Sequence, residues 1–360
     1  MRLELGSLQN YINDLLKINN EFAGRLSRAG GLDTKTLIDL VANQISQDFA
    51  DPEQASAADV VNESSLSYEC FVAGEKAIKN GEVAFVVLAG GSGTRMGSAK
   101  ALVKIPPLGI SMLANKLMQS YASLSDGEHK VPTWIMTQPN LTKQLSDHIN
   151  CLTPVPECVV FEQFESCRLK LDNSVDFVEP GIPNVHPCGH GDVGPALIES
   201  GVLDDNKNVK YVIVVNVDNV LVKPSAAIVG HHILSGKDVT CEVVQRCETD
   251  SGGCLAWSGG KLQILENFRI SQHFQNEALF HNTNTMIIST SVFYRPIEWK
   301  WHRIRKHIEN KIVIQHERLL QQYTSDFDSQ YVLVDRNKRY FPVKTNDDLI
   351  AAGKMLDGNK

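Results

Sequence analysis

Residues 83–97 read VAFVVLAGGSGTRMG, an apolar run followed by a glycine-rich loop. The apolar part has the length of a strand, and a strand without polar residues is typical of a parallel sheet covered on both faces. Glycines allow the backbone to approach a phosphate closely and to direct N–H groups at it. Because ligands of such sheets bind at the carboxyl ends of the strands, we expect an anion site in this loop.

The loop differs from two common phosphate-binding loops. No Gly-Lys-Ser/Thr triplet follows it, as a P-loop requires. A dinucleotide fingerprint would need a glycine where Met96 stands. The polar pair Thr94-Arg95 and the following Lys100 nevertheless favour an anion site over a turn of purely structural role.

Beyond the loop, short β-branched runs alternate with helical patterns. Strands are expected at 133–136, 158–161, 211–215 and 239–244, and helices at 110–124, 141–149, 225–236 and 300–323. This alternation predicts an α/β fold, with a three-layer α/β/α, Rossmann-like core and a mostly parallel sheet.

The first 80 residues have apolar side chains at helical spacing instead. Two helices are expected before residue 51, a connection at 51–65, and a third helix from Phe71 to Gly81. We therefore predict an N-terminal helical segment (1–80) followed by one α/β domain (81–360).

Composition narrows the class of protein. Of 360 residues, 42% are hydrophobic and 21% are charged, which is ordinary for a globular protein, and the net charge is −7. This charge argues against nucleic acid or an anionic membrane as a partner. No apolar run reaches the roughly 18 residues of a membrane span, and the N-terminus does not resemble a secretory signal. Eight cysteines without a CxxC pair favour buried free thiols in a reducing cytoplasm.

A family resemblance rests on five segments in order. The loop Gly90–Gly97 with Lys100 resembles the signature of sugar-1-phosphate nucleotidyltransferases. Four later segments resemble those of the UDP-sugar pyrophosphorylases: Gly189-His190-Gly191-Asp192, Asn216-Val217-Asp218-Asn219, Asn282-Thr283-Asn284 and Phe341-Pro342-Val343-Lys344-Thr345. The resemblance covers about residues 70–350.

The resemblance implies a nucleotidyltransferase core and a UTP-dependent uridylyltransferase that converts UTP and glucose 1-phosphate to UDP-glucose and pyrophosphate. Residues 77–84 and 217–223 look more like UDP-N-acetylhexosamine members, so N-acetylglucosamine 1-phosphate or a broad sugar specificity are alternatives. A glycosyltransferase would not need this glycine loop, and a catalytically silent nucleotide-sugar-binding protein is the non-enzymatic alternative. The C-terminal β-helix of the family's larger members is not expected here.

The resemblance also implies roles for individual residues. Catalytic roles fall to Lys100, Arg95 and Lys344, with Lys104 as the alternative to Lys100, and Asp218 is implied to bind Mg²⁺. The implied nucleotide-binding positions are Leu88, Ala89, Gly90, Gly91, Gly93, Thr94, Gln163, Gly189 and His190. The implied sugar-binding positions are Gly253, Glu266, Asn282 and Asn284. On a regular strand, Asn282 and Asn284 would face the same way.

Overall fold

The computed structural model describes residues 52–91, 99–180, 182–308 and 311–358. Its strands are β1 (Glu53–Gln54), β2 (Val61–Asn62), β3 (Val83–Leu88), β4 (Lys104–Ile105), β5 (Ile110–Ser111), β6 (Tyr121–Leu124), β7 (Gly127–Lys130), β8 (Thr133–Thr137), β9 (Val159–Glu162), β10 (Glu165–Cys167), β11 (Phe177–Glu179), β12 (Ile182–Pro183), β13 (Val185–Pro187), β14 (Tyr211–Asn216), β15 (Val239–Gln245), β16 (Cys254–Ser258), β17 (Lys261–Leu265), β18 (Phe280–Ser289), β19 (His302–Ile308), β20 (Lys311–Glu317) and β21 (Ser329–Leu333). Its α-helices are α1 (Tyr68–Lys79), α2 (Met112–Met118), α3 (Pro139–Asn150), α4 (Val193–Glu199), α5 (Val202–Asp205), α6 (Ala226–Ser235), α7 (Gln272–Glu277), α8 (Gln322–Asp326), α9 (Arg336–Arg339) and α10 (Asn346–Asp357).

One large sheet forms the centre of the molecule. Its main path runs β2-β21-β15-β18-β14-β3-β8-β9. Strand β18 is antiparallel to both of its neighbours, β14 and β15, whereas the remaining neighbours on this path are parallel. The prediction of a mostly parallel sheet is therefore confirmed.

The sheet is covered on both faces, which explains the apolar run in β3. All six of its residues are buried. Ala84, Val86 and Leu88 belong to one hydrophobic cluster together with side chains of α4. Val83, Phe85 and Val87 belong to a second cluster together with side chains of α1, α3 and α6. Because successive side chains of a strand point to opposite faces, the two clusters lie on opposite faces of the sheet. Each cluster packs helices against one face, which gives the two helical layers of the predicted α/β/α core.

Helix α1 and helix α6 pack closely against each other. A Cβ on Gly74 of α1 would collide with the carbonyl oxygen of Ala226, and a Cβ on Gly230 of α6 would collide with that of Cys70. The predicted third helix is thus confirmed as α1, and both glycines are required by the short distance between the two backbones.

The prediction of a long helix at 300–323 is wrong. Strands β19 and β20 form an antiparallel hairpin instead, with Ile308 opposite Lys311 and His302 opposite Glu317. The segment contains β-branched residues such as Ile304 and Val313, which pack better on a pleated sheet than on a helix. The helix predicted at 110–124 is also shorter than expected, because only α2 is helical there and β6 follows it.

The polar stretch 51–65 is more than a connection. Strand β1 pairs with β16, and β2 pairs in parallel with β21 at the end of the main sheet. The two helices predicted before residue 51 lie outside the described residues, and the division at residue 81 stays a prediction. None of the described helices is long and apolar enough to span a membrane.

Candidate active site

The glycine loop follows β3 and Asp218 follows β14, and these two neighbouring parallel strands end at the same edge of the sheet. Leu88 at the end of β3 is opposite Asn216 at the end of β14. Lys100 joins the two chain segments, because its backbone N–H donates to the Gly91 carbonyl (3.2 Å) and its Nζ lies 2.6 Å from Asp218 Oδ2. Lys104, the alternative, is exposed on β4. The structure therefore brings Gly91, Lys100 and Asp218 together.

Three residues predicted in the loop lie outside the part of the chain that the structure describes. Gly93, Thr94 and Arg95 belong to 92–98, which lies outside the described residues. Their assignments to the nucleotide and to catalysis stay predictions.

The loop side of the site, which we define as Gly90, Gly91, Gln138 and Gln163, lies beyond the ends of β3, β8 and β9. A Cβ on Gly90 would collide with Gln163 Nε2, so this glycine permits the close approach of the Gln163 amide. The backbone N–H of Gln163 donates to the carbonyl of Thr137 (2.8 Å). Leu88 and Ala89 are buried in the sheet, where the Ala89 N–H donates to the Met136 carbonyl. Gln163, one of the implied nucleotide-binding residues, therefore contacts the glycine loop.

Most other predicted residues line one cavity of about 190 Å³ next to this edge. It collects side chains from β14, β18 and several loops, and those that were predicted are His190, Asp218, Gly253, Glu266, Asn282, Asn284 and Lys344. The cavity thus brings together the implied metal position Asp218, the implied catalytic residue Lys344 and the implied sugar positions.

An amide wall, defined as Asn282, Asn284 and Gln321, forms part of this cavity. Asn284 has a left-handed backbone (φ 58°), and its N–H donates to Asn282 Oδ1 (3.0 Å). The Asn284 Nδ2 donates to Asn216 Oδ1 (2.9 Å), and Gln321 Nε2 donates to Asn284 Oδ1 (2.9 Å). Asn284 is therefore held by hydrogen bonds on both sides.

The two asparagines line the same cavity for a different reason than predicted. Opposite β15, the register of β18 jumps from Thr285 to Asn282, so that Thr283 and Asn284 form a bulge. A bulge redirects side chains locally, and regular alternation along the strand does not apply here.

Glu266 contributes a carboxylate to the cavity. Within the described residues this carboxylate accepts no hydrogen bond, and burial raises its pKa to about 7. A Cβ on Gly253 would lie only 2.9 Å from Glu266 Oε1, so that glycine leaves the carboxylate its space.

His190 is fixed in one tautomer by the backbone. The Leu320 N–H donates to His190 Nδ1 (2.8 Å), and a backbone N–H cannot accept a hydrogen bond. Burial lowers the pKa of His190 to about 4, so the ring is neutral at pH 7 and carries its proton on Nε2. His190 therefore offers one N–H donor to a ligand.

A buried arginine anchors the loop that contains His190. Arg318 forms an ion pair with Asp192, and its guanidinium lies over the rings of Trp299 and Trp301. Gly189 has φ 107°, and a Cβ there would collide with the Arg318 carbonyl oxygen. The loop thus packs directly on the segment that supplies Leu320 and Gln321.

Lys344 approaches the site from the opposite side. The backbone N–H of Val343 donates to the Asp218 carbonyl (2.9 Å), and Lys344 Nζ donates to Ser251 Oγ (3.0 Å). Lys344 therefore adds an amine to the cavity that Asp218 also lines.

The residues present fit a divalent cation that is held by one protein carboxylate and mainly by the phosphates of a bound substrate. No group of three or more His, Cys, Asp or Glu side chains able to hold a metal occurs in the described part of the chain. Asn219 is structural, because its amide bonds the Arg339 carbonyl and the Phe341 N–H. Asp218 remains as a single carboxylate, and Mg²⁺ commonly takes one or two carboxylates and completes its shell with phosphate oxygens and water.

Sequence reasoning missed several residues of this site. Gln321 and Arg318 follow the hairpin that was interpreted as a helix, and no motif marked them. His281 and Tyr340 also line the cavity and share a hydrogen bond (2.9 Å). Their adjacency to Asn282 and Phe341 was the available signal.

The fold and the residues at its carboxyl edge define an α/β protein of the sugar-nucleotidyltransferase type. Residues 36–356 match the family model described as UTP--glucose-1-phosphate uridylyltransferase, and the chain therefore belongs to that family.

Individual relatives agree with this membership. A UTP--glucose-1-phosphate uridylyltransferase of Solanum tuberosum is 30% identical over 179 residues, which cover 46% of this chain and 38% of the relative. A UDP-N-acetylhexosamine pyrophosphorylase-like protein 1 of Xenopus tropicalis is 29% identical over 54% of this chain and 41% of the relative. A solved mutant of UDP-glucose pyrophosphorylase from Leishmania major, in complex with UDP-glucose, has a TM-score of 0.70 at 19% identity, over 97% of this chain and 79% of that chain. The last comparison shows the fold.

Proposed function

We propose that the protein transfers a uridylyl group from UTP to a hexose 1-phosphate, with glucose 1-phosphate as the first substrate, and releases pyrophosphate. The observation that carries this proposal is the Lys100–Asp218 pair beside Gly91, next to the cavity that also contains Lys344 and the amide wall. Membership of the uridylyltransferase family supports the same reaction.

The proposed reaction requires the protein to supply positive charge and to hold the two phosphate groups in position. An oxygen of the sugar phosphate attacks the α-phosphorus of UTP, the bond to the β-phosphate oxygen breaks, and pyrophosphate leaves with that electron pair. Two polyanions must meet, so the amines of Lys100 and Lys344 offset their repulsion while the loop holds the phosphates. No covalent nucleophile on the protein is needed.

Lys100 has an anionic partner before any substrate binds. Its ion pair with Asp218 keeps the amine at the strand edge, with a quarter of the side chain exposed. An arriving α-phosphate competes with Asp218 for this amine. Mg²⁺, when held by Asp218, would neutralise charge on the phosphate oxygens.

Substrate recognition divides between the two sides of the site. On the loop side, the Gln163 amide provides one donor and one acceptor for the edge of uracil. On the other side, Glu266 accepts hydrogen bonds and His190 Nε2 donates one. These complementary groups suit a hydroxylated sugar that carries a phosphate.

Two further proposals accompany the reaction. N-acetylglucosamine 1-phosphate is the second candidate substrate, because a relative of the hexosamine type matches 54% of this chain. We infer a cytoplasmic location from the eight cysteines, which are all free thiols, although Cys151 and Cys247 are exposed rather than buried as expected.

The deciding experiment measures pyrophosphate release from UTP and Mg²⁺ with glucose 1-phosphate, N-acetylglucosamine 1-phosphate and galactose 1-phosphate. We expect release with at least one sugar, and glucose 1-phosphate to give the highest kcat/KM. UDP-glucose binding by calorimetry is measured in parallel. Binding without pyrophosphate release from any sugar would favour the silent binding protein and contradict the enzyme.

A further inference from the structure

Gln321 lies outside all five sequence motifs but within the cavity wall. It is 5% exposed and lies between β20 and α8, directly after the Leu320 N–H that holds His190. The buried Arg318–Asp192 pair anchors the same segment. These two contacts between the segment 318–320 and the loop that contains His190 fix where Gln321 lies.

Hydrogen bonds define which way the Gln321 amide faces. Asn284 donates through Nδ2 to Asn216 Oδ1, so its Oδ1 is the acceptor that faces Gln321. Gln321 must then present its Nε2 to Asn284, and the 2.9 Å bond agrees. This leaves Gln321 Oε1 as a buried acceptor without a hydrogen-bond partner among the described residues.

A second acceptor without a partner lines the same cavity. The Glu266 carboxylate and Gln321 together border both this cavity and a much smaller one of about 20 Å³. Two acceptors require a ligand with donors. The hydroxyl groups of a sugar ring donate hydrogen bonds, whereas an ionised phosphate only accepts them, so this part of the wall suits the ring rather than the phosphate.

We propose that Gln321 is a specificity-determining residue that accepts a hydrogen bond from one ring hydroxyl of the hexose 1-phosphate. This inference rests on the proposed uridylyltransferase function and adds a contact that the motifs do not contain. A buried polar group discriminates strongly against a ligand that leaves it unpaired. The enzyme is therefore selective for sugars that keep this hydroxyl in the correct configuration.

The test crosses protein variants with substrates that lack one hydroxyl. The kcat/KM values of wild type and Gln321→Met are compared for glucose 1-phosphate and its 2-, 3-, 4- and 6-deoxy analogues. We expect Gln321→Met to lower kcat/KM by roughly three- to tenfold for four of these substrates and not for the analogue that lacks the contacted hydroxyl. An equal loss with every substrate, or no loss, would overturn the inference.

Gln322→Met is the matched control. Gln322 is buried to the same extent (6% exposed), but its Nε2 donates to the Glu298 carbonyl (2.7 Å) and to Asp326 (2.9 Å), and it does not border the larger cavity. We expect its substrate ranking to equal that of wild type. Gln321→Glu retains an acceptor oxygen but loses the Nε2 donor to Asn284 Oδ1, so kcat/KM should fall by a similar factor for every substrate while the wild-type ranking is kept. This provides a second test if Gln321→Met does not fold.

Failure of this inference can be told apart from failure of the proposed function. If wild type releases pyrophosphate with no sugar 1-phosphate, both are wrong. If wild type is active but Gln321→Met changes kcat/KM by the same factor for every deoxy analogue, only the role of Gln321 is wrong.

Discussion

The loop side and the amide wall face the same reaction centre but arise from different structural elements. Gly90 and Gln163 extend directly from the ends of parallel strands, where backbone direction alone brings them together. Asn284 reaches the cavity through a bulge, and Gln321 reaches it after a hairpin. The comparison teaches that strand order determines where the nucleotide is expected, whereas local irregularities determine the shape offered to the second substrate.

The largest effect is expected at the residue that connects the two sides. Lys100→Ala should lower kcat by about 10²–10³-fold, because one charge partner of the transition state is lost. Steady-state pyrophosphate release measures this. Lys104→Ala removes an exposed lysine of the neighbouring β4 and should stay within about twofold of wild type. Equal activities of the two variants would contradict the role given to Lys100.

A smaller effect is expected at the partner of Lys100. Asp218→Asn keeps the shape of the side chain but removes its charge, so the Mg²⁺ concentration for half-maximal activity should rise by about tenfold or more. A Mg²⁺ titration at saturating UTP measures the change. Asp250→Asn is a control, because Asp250 forms its ion pair with Arg336 instead. An unchanged titration for Asp218→Asn would mean that Asp218 does not bind the cation.

Two glycine substitutions test whether the loop side and the side of the amide wall bind different substrates. Gly90→Ala crowds Gln163 on the loop side, and Gly253→Ala brings a methyl group to 2.9 Å from Glu266 Oε1 on the other. Because the nearest crowded atoms are the ends of flexible side chains, the effect should fall mainly on the positions of Gln163 and Glu266 and so on ligand binding. We expect Gly90→Ala to raise KM for UTP by roughly tenfold with little effect on the sugar phosphate, and Gly253→Ala to do the reverse. Equal changes in both KM values would show that the two sides are not independent.

The sequence predicted the sheet edge at which the loop side lies, because the features that indicate it are local. An apolar strand followed by glycines identifies β3 and its loop, and the parallel arrangement then implies which strand ends are neighbours. Lys100, Asp218 and Lys344 were located by motifs, and the structure brings all three to one edge. Arg95 could not be compared, since it lies outside the described residues.

The amide wall was only partly predictable. Asn282 and Asn284 were found by motif, but the left-handed backbone of Asn284 depends on pairing between β18 and β15, which are 35 or more residues apart. Gln321 was missed because residues 300–323 were interpreted as a helix. The run Ile312-Val313-Ile314 of β20 favoured a strand, but Ile304 and Ile308 of β19 are four residues apart and the segment's charged residues also fit a solvated helix face.

The smallest predicted effect concerns pH on the side of the amide wall. Burial raises the pKa of Glu266 from 4.5 to about 7, so its ionised fraction increases between pH 6 and pH 8. Sugar hydroxyls donate more strongly to a carboxylate than to a neutral carboxyl. The KM for the sugar phosphate should therefore fall by roughly threefold over this range, while the KM for UTP should not depend on the ionisation of Glu266.

Ionisation of the substrates themselves must be separated from that of Glu266, because phosphate monoesters also titrate near pH 6. Glu266→Gln provides this separation: it retains an acceptor oxygen and cannot ionise, so any pH dependence that remains in the variant belongs to the ligands. We expect the difference between the two profiles to have a midpoint near pH 7. If wild type and Glu266→Gln have parallel profiles, Glu266 does not contact the sugar in its ionised form, and of the two acceptors argued for the sugar only the Gln321 amide would remain.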